Sequence, residues 1–244
     1  MLSFARIAHR GASGSCPENT RVAFERAIEA GADMVEMDCQ LSKDGHVVVF
    51  HDERLDRITG VKGFVGSKTL KQLRAMDAGR WFKKSFKGEK ILTLEEALDI
   101  VKDRADLNLE IKVWRRGQVG IEIKILFILS HYDYLDRTII TSFNYDTLAR
   151  LRELAPEARI GILYAVGGKE DPFQAARRLG ACCIQVQKEL LNAETLARAR
   201  EIGLRTYVWT VNEPPQMERY TRLGVDGIIS DYPERFWKLK GVGR

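Results

Sequence analysis

The chain has 244 residues, 45% hydrophobic and 30% charged, with a formal net charge of +5. This is ample for a full hydrophobic core, and no apolar run is long enough to span a bilayer. The start, MLSFARIAHRG, lacks a basic region followed by an apolar stretch and a small-residue cleavage site, so no signal peptide and a cytoplasmic location are expected.

Apolar, β-branched runs predict strands at 6–9, 34–40, 47–50, 107–111, 138–142, 160–164, 182–186, 205–211 and 227–230. Amphipathic patterns predict helices at 20–30, 93–102, 145–154, 173–179, 194–202 and 215–223. Several close on glycine: Gly31, Gly180, Gly203 and Gly224. Helix-stop-strand phrases recur as EAGADMVEM, RLGACCIQV, EIGLRTYVW and RLGVDGIIS, which means one supersecondary unit is reused. Such alternation implies βαβ units and a parallel sheet; eight closed units make a (β/α)8 TIM barrel of about 250 residues.

Nine strand candidates are one too many. Only a short segment containing Asp44-Gly45 separates Ser42 from Val47. A parallel crossover needs roughly ten residues, whereas Asp-Gly favours a tight hairpin. The run at 47–51 is therefore expected to return antiparallel to strand two. A two-residue loop at Asp44-Gly45 sets Asp38 opposite His51. It also places Glu36, Asp38 and His51 on one face, and Met37, Cys39, Leu41, Val48 and Phe50 on the other. A small insertion follows at about 52–92, with one short helical pattern at 69–76. The expectation is a single catalytic domain over 1–244 carrying that insertion. Within it, RWFKKSFKGEK reads as packed aromatics with solvated lysines, or alternatively as a basic lip for phosphorylated substrates. The tail RFWKLKGVGR reads as the last barrel helix.

The four cysteines, Cys16, Cys39, Cys182 and Cys183, match neither a zinc spacing nor a disulfide framework and are expected to be reduced and buried. The chemistry gathers instead at C-terminal ends of strands, where barrel enzymes keep their sites. Glu36, Asp38 and Glu110 converge there. A hard divalent cation, Mg2+ or Ca2+, relieves their repulsion, and an ion-pair network with Arg10 and Lys112 accounts for them equally well on spacing alone. His9 and His51 flank these acids and suit a general acid/base pair. His46, at the turn, and His131, in a SHYDYLD loop, are set aside. Arg10 and Lys112 bring positive charge to the same mouth, as a clamp for a phosphoryl group. The residues by themselves point to metal-assisted phosphodiester cleavage.

HRG at 9–11, PENT at 17–20, EMDCQLSKDGHVVVFHD at 36–52, LNLEIK at 107–112, SFN at 142–144, VWTVN at 208–212 and DGIISDYP at 226–233 together resemble the glycerophosphodiester phosphodiesterases. The resemblance implies a TIM barrel that hydrolyses glycerophosphodiesters to glycerol 3-phosphate and an alcohol with Mg2+ or Ca2+. It implies His9 and His51 as the acid/base pair, Glu36, Asp38 and Glu110 as metal ligands, and Arg10 and Lys112 as phosphate contacts. Phe143 and Trp209 look like aromatic walls for the glycerol portion. In PENT, Pro17 breaks the loop and Asn19 or Thr20 caps the next helix, so that motif reads as structural. One departure is Leu92, where the family commonly has proline before TLEEAL; it is expected to loosen the start of the helix at Thr93.

The expected partner is a small-molecule glycerophosphodiester, with no nucleic acid and no stable membrane association. The alternative is lysophospholipase D-type hydrolysis of lysophospholipids at a membrane surface. A non-catalytic phosphate- or nucleic-acid-binding barrel sits badly with two histidines beside three acids.

Overall fold

The computed structural model describes residues 4–114, 119–168 and 170–239. Its strands are β1 (Ala5–Ala8), β2 (Met34–Leu41), β3 (Val47–Val49), β4 (Asp106–Ile111), β5 (Thr138–Ser142), β6 (Arg159–Tyr164), β7 (Cys183–Gln187), β8 (Arg205–Trp209) and β9 (Gly227–Ser230). Every neighbouring pair is parallel except β2–β3, and β1 pairs with both β2 and β9. Eight parallel strands therefore close a barrel, and β3 stands outside it as an antiparallel return.

The helices are α1 (Arg21–Glu29), α2 (Asp56–Thr59), α3 (Leu70–Arg74), α4 (Leu94–Val101) and α5 (Ile121–His131), then α6 (Tyr145–Leu154), α7 (Pro172–Leu179), α8 (Ala193–Glu201) and α9 (Pro214–Leu223). Strand alternation sorts the side chains. Val35, Met37, Cys39 and Leu41 of β2 join the outer core beneath the helices. Met34 joins Ala5, Ile7, Ile139, Cys183, Tyr207 and Ile229 on the apolar floor inside the barrel. Fully burying a leucine- or isoleucine-sized side chain stabilises by roughly 1.5–3 kcal/mol, so these two layers carry most of the fold. Higher inside, Asn108 Nδ2 donates to Gln185 Oε1 at 3.1 Å and Gln185 Nε2 donates to Asn108 Oδ1 at 2.8 Å. This amide pair satisfies itself and leaves the polar residues above it to the mouth.

The hairpin register differs from the expected one. Cys39 pairs with Val49, Gln40 with Val48 and Leu41 with Val47, and Ser42 N donates to His46 O. The loop is thus Lys43-Asp44-Gly45. Gly45 takes the left-handed φ of +83° that a three-residue loop needs in its last position. Asp44 is held by Ser42 Oγ at 2.7 Å and Leu70 N at 2.9 Å. Asp38 consequently lies across from Phe50, whose N–H donates to its carbonyl. The valines divide: Val47 and Val49 enter the outer core, while Val48 and Phe50 pack with Leu55, Ile58, Val65, Leu73, Ala78 and Ile91 of the insertion. His51 reaches the mouth from a bend beyond the ladder.

Three smaller expectations also change. Helix α5 carries no clean apolar periodicity, because Ile123 and Phe127 are exposed while Glu122 is buried. His131 closes this helix rather than lying in a loop, and its ring stacks on Phe127. Leu92 does not loosen α4: Thr93 and Glu96 form a reciprocal capping box, Leu92 O accepts from Val49 N, and its side chain is buried. The tail forms a 3-10 helix, Pro233–Lys238, anchored by Trp237 Nε1 donating to Ala30 O; its residues 240–244 lie outside the described residues. Of the cysteines, Cys16, Cys39 and Cys183 are buried, Cys182 is half-buried, and none is in a disulfide.

Candidate active site

The C-terminal ends of β1, β2, β4, β5 and β8 deliver His9, Glu36 with Asp38, Glu110, Phe143 and Trp209 to one mouth. A cavity of about 80 Å³ there is lined by His9, Arg10, Glu36, His51, Glu110, Lys112, Phe143 and Trp209. It shares Phe143 and Leu163 with a wider groove of about 940 Å³. All nine residues expected at the site are brought together except that Asp38, 1% exposed, lies beneath the cavity wall.

Glu36, Asp38 and Glu110 each offer one carboxylate oxygen within 4.8 Å of the others. Arg10 N donates to Glu36 Oε2 at 2.7 Å, a contact made by a backbone turned to a φ of +53° at Arg10. Gly11 follows at φ +78°, and a Cβ there would lie 2.6 Å from the backbone of Ala23. The HRG turn is thus pressed against α1, and only glycine fits its last position. Lys112 Nζ donates to Glu110 Oε1 at 2.6 Å and lies 3.0 Å from Asp38 Oδ1. Arg10 Nε lies 3.3 Å from Asp38 Oδ2.

These contacts set the charges. Burial and the neighbouring Asp38 push the Glu36 carboxyl well above its ordinary range. Burial likewise raises Glu110 to about 7, against the pull of Lys112. Burial also opposes ionisation of Asp38, but Lys112 and Arg10 outweigh it and hold this carboxyl far below the usual range. Two strained carboxyls beside one firmly ionised carboxylate is the arrangement a cation relieves. Asp38 Oδ1 is buried, with the ammonium of Lys112 3.0 Å away. An all-oxygen donor set of three carboxylates fits a hard divalent ion.

Each cavity histidine is paired with an aspartate. His9 Nδ1 meets Asp231 Oδ1 at 2.6 Å, and His51 Nδ1 meets Asp52 Oδ1 at 2.7 Å. Among the described residues, both pairs leave Nε2 as the free ring nitrogen. Asp231 also accepts from Asn212 Nδ2 and Ser13 Oγ; burial opposes its ionisation, but the contact with His9, with smaller help from Asn212 and Ser13, holds its carboxyl down at about 2. Burial, and the charges of Lys112 and Arg10, hold the His51 imidazole below its ordinary range against the opposing pull of Asp38.

PENT does more than shape a loop. Asn19 Nδ2 donates to Asp38 Oδ2 at 2.8 Å, and Thr20, at the cap position of α1, makes no side-chain cap. Glu18 accepts from Arg10 Nη1 and from both terminal nitrogens of Arg57. Arg57 also donates from Nε to Asp52 Oδ2 at 2.7 Å, so one guanidinium of the insertion ties the partner of His51 to the partner of Arg10. Sequence reasoning missed Asp231, Asp52, Asn19 and Glu18. Their signal was present as an acid directly after β9, an acid beside His51 and the polar pair inside PENT, but their partners are set by the fold. Phe143 and Trp209 meet edge to face, with centroids 6.0 Å apart, and Trp209 Nε1 donates to Gln185 O.

Residues 9–235 match the glycerophosphoryl diester phosphodiesterase family. A glycerophosphodiester phosphodiesterase of Caldanaerobacter subterraneus is 42% identical over 97% of this chain and 98% of its own length. The structure is similar to an Oleispira antarctica phosphodiesterase in complex with the product sn-glycerol-3-phosphate, with TM-score 0.87, 28% identity, and 95% and 94% of the two chains covered. It is also similar to a glycerophosphodiester phosphodiesterase from Thermotoga maritima, with TM-score 0.78, 31% identity and 98% of each chain covered. With the barrel and the motif residues in the positions described, the chain belongs to the glycerophosphodiester phosphodiesterase family of hydrolases.

Proposed function

We propose that this hydrolase cleaves glycerophosphodiesters to glycerol 3-phosphate and an alcohol in a divalent-cation-dependent reaction, with His9 and His51 as the acid/base pair. The observation that carries this is two cavity-lining imidazoles, each tied through Nδ1 to an aspartate, beside a cluster of three carboxylates. One imidazole Nε2 removes a proton from the attacking hydroxyl or water. The other gives a proton to the departing alkoxide oxygen, which splits the charge development between two groups. Glu36, Asp38 and Glu110 are the proposed ligands of Mg2+ or Ca2+. When bound there, the ion supplies positive charge beside the phosphoryl oxygens.

Arg10 and Lys112 line the cavity beside that cluster. Both stay charged, since burial is outweighed by the surrounding carboxylates, so they offer a phosphate a preorganised pair of cations. The edge-to-face pair of Phe143 and Trp209 forms an apolar wall for the glycerol carbons. The product held by the Oleispira antarctica relative supports this substrate class. A membrane-surface lysophospholipase is not favoured, since the relatives named above are glycerophosphodiester phosphodiesterases or a phosphodiesterase holding glycerol 3-phosphate.

The test is a panel of glycerophosphodiesters with Mg2+, Ca2+ or EDTA, following glycerol 3-phosphate release. Release that stops with EDTA and resumes with either ion is expected, as is loss of turnover in His9→Ala and His51→Ala. Full activity in EDTA, or in either histidine variant, sinks the mechanism.

A further inference from the structure

His51 is the one candidate acid/base group supplied from outside the eight parallel strands. The β2–β3 ladder ends at the Cys39–Val49 pair, and Phe50 N donating to Asp38 O is the bond just beyond it. His51 and Asp52 then lie in the bend that leads into the insertion. Gln40 meets them there. It is 1% exposed and shares with Glu36 and Asp38 one face of β2, the next inward position toward the mouth. Its Nε2 donates to Phe50 O at 2.7 Å and to Asp52 O at 2.9 Å. An amide nitrogen has two protons, and each goes to one of the carbonyls that bracket the histidine.

We propose that Gln40 is a positioning residue for His51: its buried amide ties the bend carrying the His51–Asp52 pair to the strand carrying Glu36 and Asp38. This rests on the assignment of His51 to the acid/base pair. A single rigid strand then sets the spacing between the carboxylate cluster and the imidazole. Arg57 holds the Asp52 carboxylate from the other side, so Gln40 fixes the backbone of the bend while Arg57 fixes its side chain. Proton transfer depends steeply on such placement, and a displacement of about 1 Å costs on the order of 100-fold in rate.

The experiment is steady-state kinetics on sn-glycero-3-phosphoethanolamine for wild type, Gln40→Met, His51→Ala and the double variant. The histidine variants are assayed at high enzyme concentration so that their residual rates are read. Methionine keeps the length and removes both donors. The expected result is a kcat lower by about 10- to 100-fold in Gln40→Met, with KM within about threefold of wild type. In the His51→Ala background the same substitution is expected to cost less than about twofold, because its route to the reaction is gone. A wild-type kcat in Gln40→Met overturns the proposal, as does an equal loss with and without His51. Wild-type turnover in His51→Ala is a different failure: it removes the assignment of His51 and this proposal with it. Should Gln40→Met not fold, Gln40→Glu keeps the shape, substitutes acceptors for donors, and is scored by the same two comparisons.

Discussion

His9 and Asp231 stand 222 positions apart in the chain, yet His9 Nδ1 lies 2.6 Å from Asp231 Oδ1. The contact exists because β1 and β9 are neighbours at the seam of the closed barrel, with Ala8 paired to Ser230. The residue after each strand therefore emerges at the same point of the rim. Asn212 and Ser13 hold the aspartate from two further sides, so the imidazole is fixed in one tautomer and one orientation.

Replacing that aspartate is expected to act on turnover. Asp231→Asn keeps the shape but offers His9 Nδ1 an amide, and kcat should fall by on the order of 100-fold with KM little changed. Steady-state kinetics on a glycerophosphodiester checks this. An unchanged kcat would show that Asp231 does not orient a working histidine.

The same residue makes a pH-dependent contribution to stability. Its folded-state pKa of about 2 lies below an unfolded value near 3.9, which corresponds to roughly 2–3 kcal/mol. The sign follows from the depressed pKa: the stabilisation is present above about pH 4 and is lost as pH falls toward about 2. Urea unfolding of wild type and Asp231→Asn should differ clearly at pH 6 and converge near pH 2. A difference that persists at acid pH contradicts the assignment.

Lys112 is 7% exposed and neutralises Glu110 and Asp38 directly. Removing one partner of a buried ion pair costs about 3–5 kcal/mol, since the remaining charge stays buried. Lys112→Met should therefore lower the melting temperature in EDTA. Added Mg2+ or Ca2+ should recover part of that loss if, as proposed, the cation binds the same carboxylates. Equal melting temperatures of variant and wild type in EDTA would count against a structural charge role for the lysine.

Cation binding itself is measurable without turnover. Saturation at about 100 times Kd stabilises a folded protein by about 2.7 kcal/mol, so Ca2+ or Mg2+ should raise the wild-type melting temperature. Glu36→Gln should reduce that shift by weakening the ligand set. The same shift in wild type and Glu36→Gln would place the ion elsewhere.

Gly11 tests the packing beneath the site. An alanine there meets both an unfavourable φ of +78° and the backbone of Ala23 at 2.6 Å. Strain and overpacking together should cost more than about 2 kcal/mol. Thermal melting of Gly11→Ala reads this directly, and a wild-type melting temperature would mean that the HRG turn yields easily.

Much of this protein was legible in the sequence. Strand existence, the extra antiparallel strand, the closed barrel and the convergence of Glu36, Asp38, Glu110 and His9 at strand ends follow from local periodicity and linker length, whereas His51 reaches the same mouth only through a bend beyond the ladder. The hairpin register did not. It is usually specified by an apolar face alternating with a polar one, but β3 is buried on both sides, with Val47 and Val49 against the barrel and Val48 against the insertion. A one-residue change in loop length therefore leaves no trace in the apolar pattern. Helix α5 escaped for a related reason, since apolar residues on nearly every side erase the period of 3.6.

By itself, the sequence determined that Glu36 and Asp38 share one face of β2 and Met37, Cys39 and Leu41 the other, because alternation along one strand is a property of its own backbone and needs no partner. Only the tertiary structure decided what those side chains meet. The pairings of His9 with Asp231, Asp38 with Asn19, Glu18 with Arg57 and Gln40 with the bend around His51 join segments that share no local pattern. They are set by barrel closure, by the three-residue loop and by the docking of the insertion, all of which depend on contacts between distant parts of the chain.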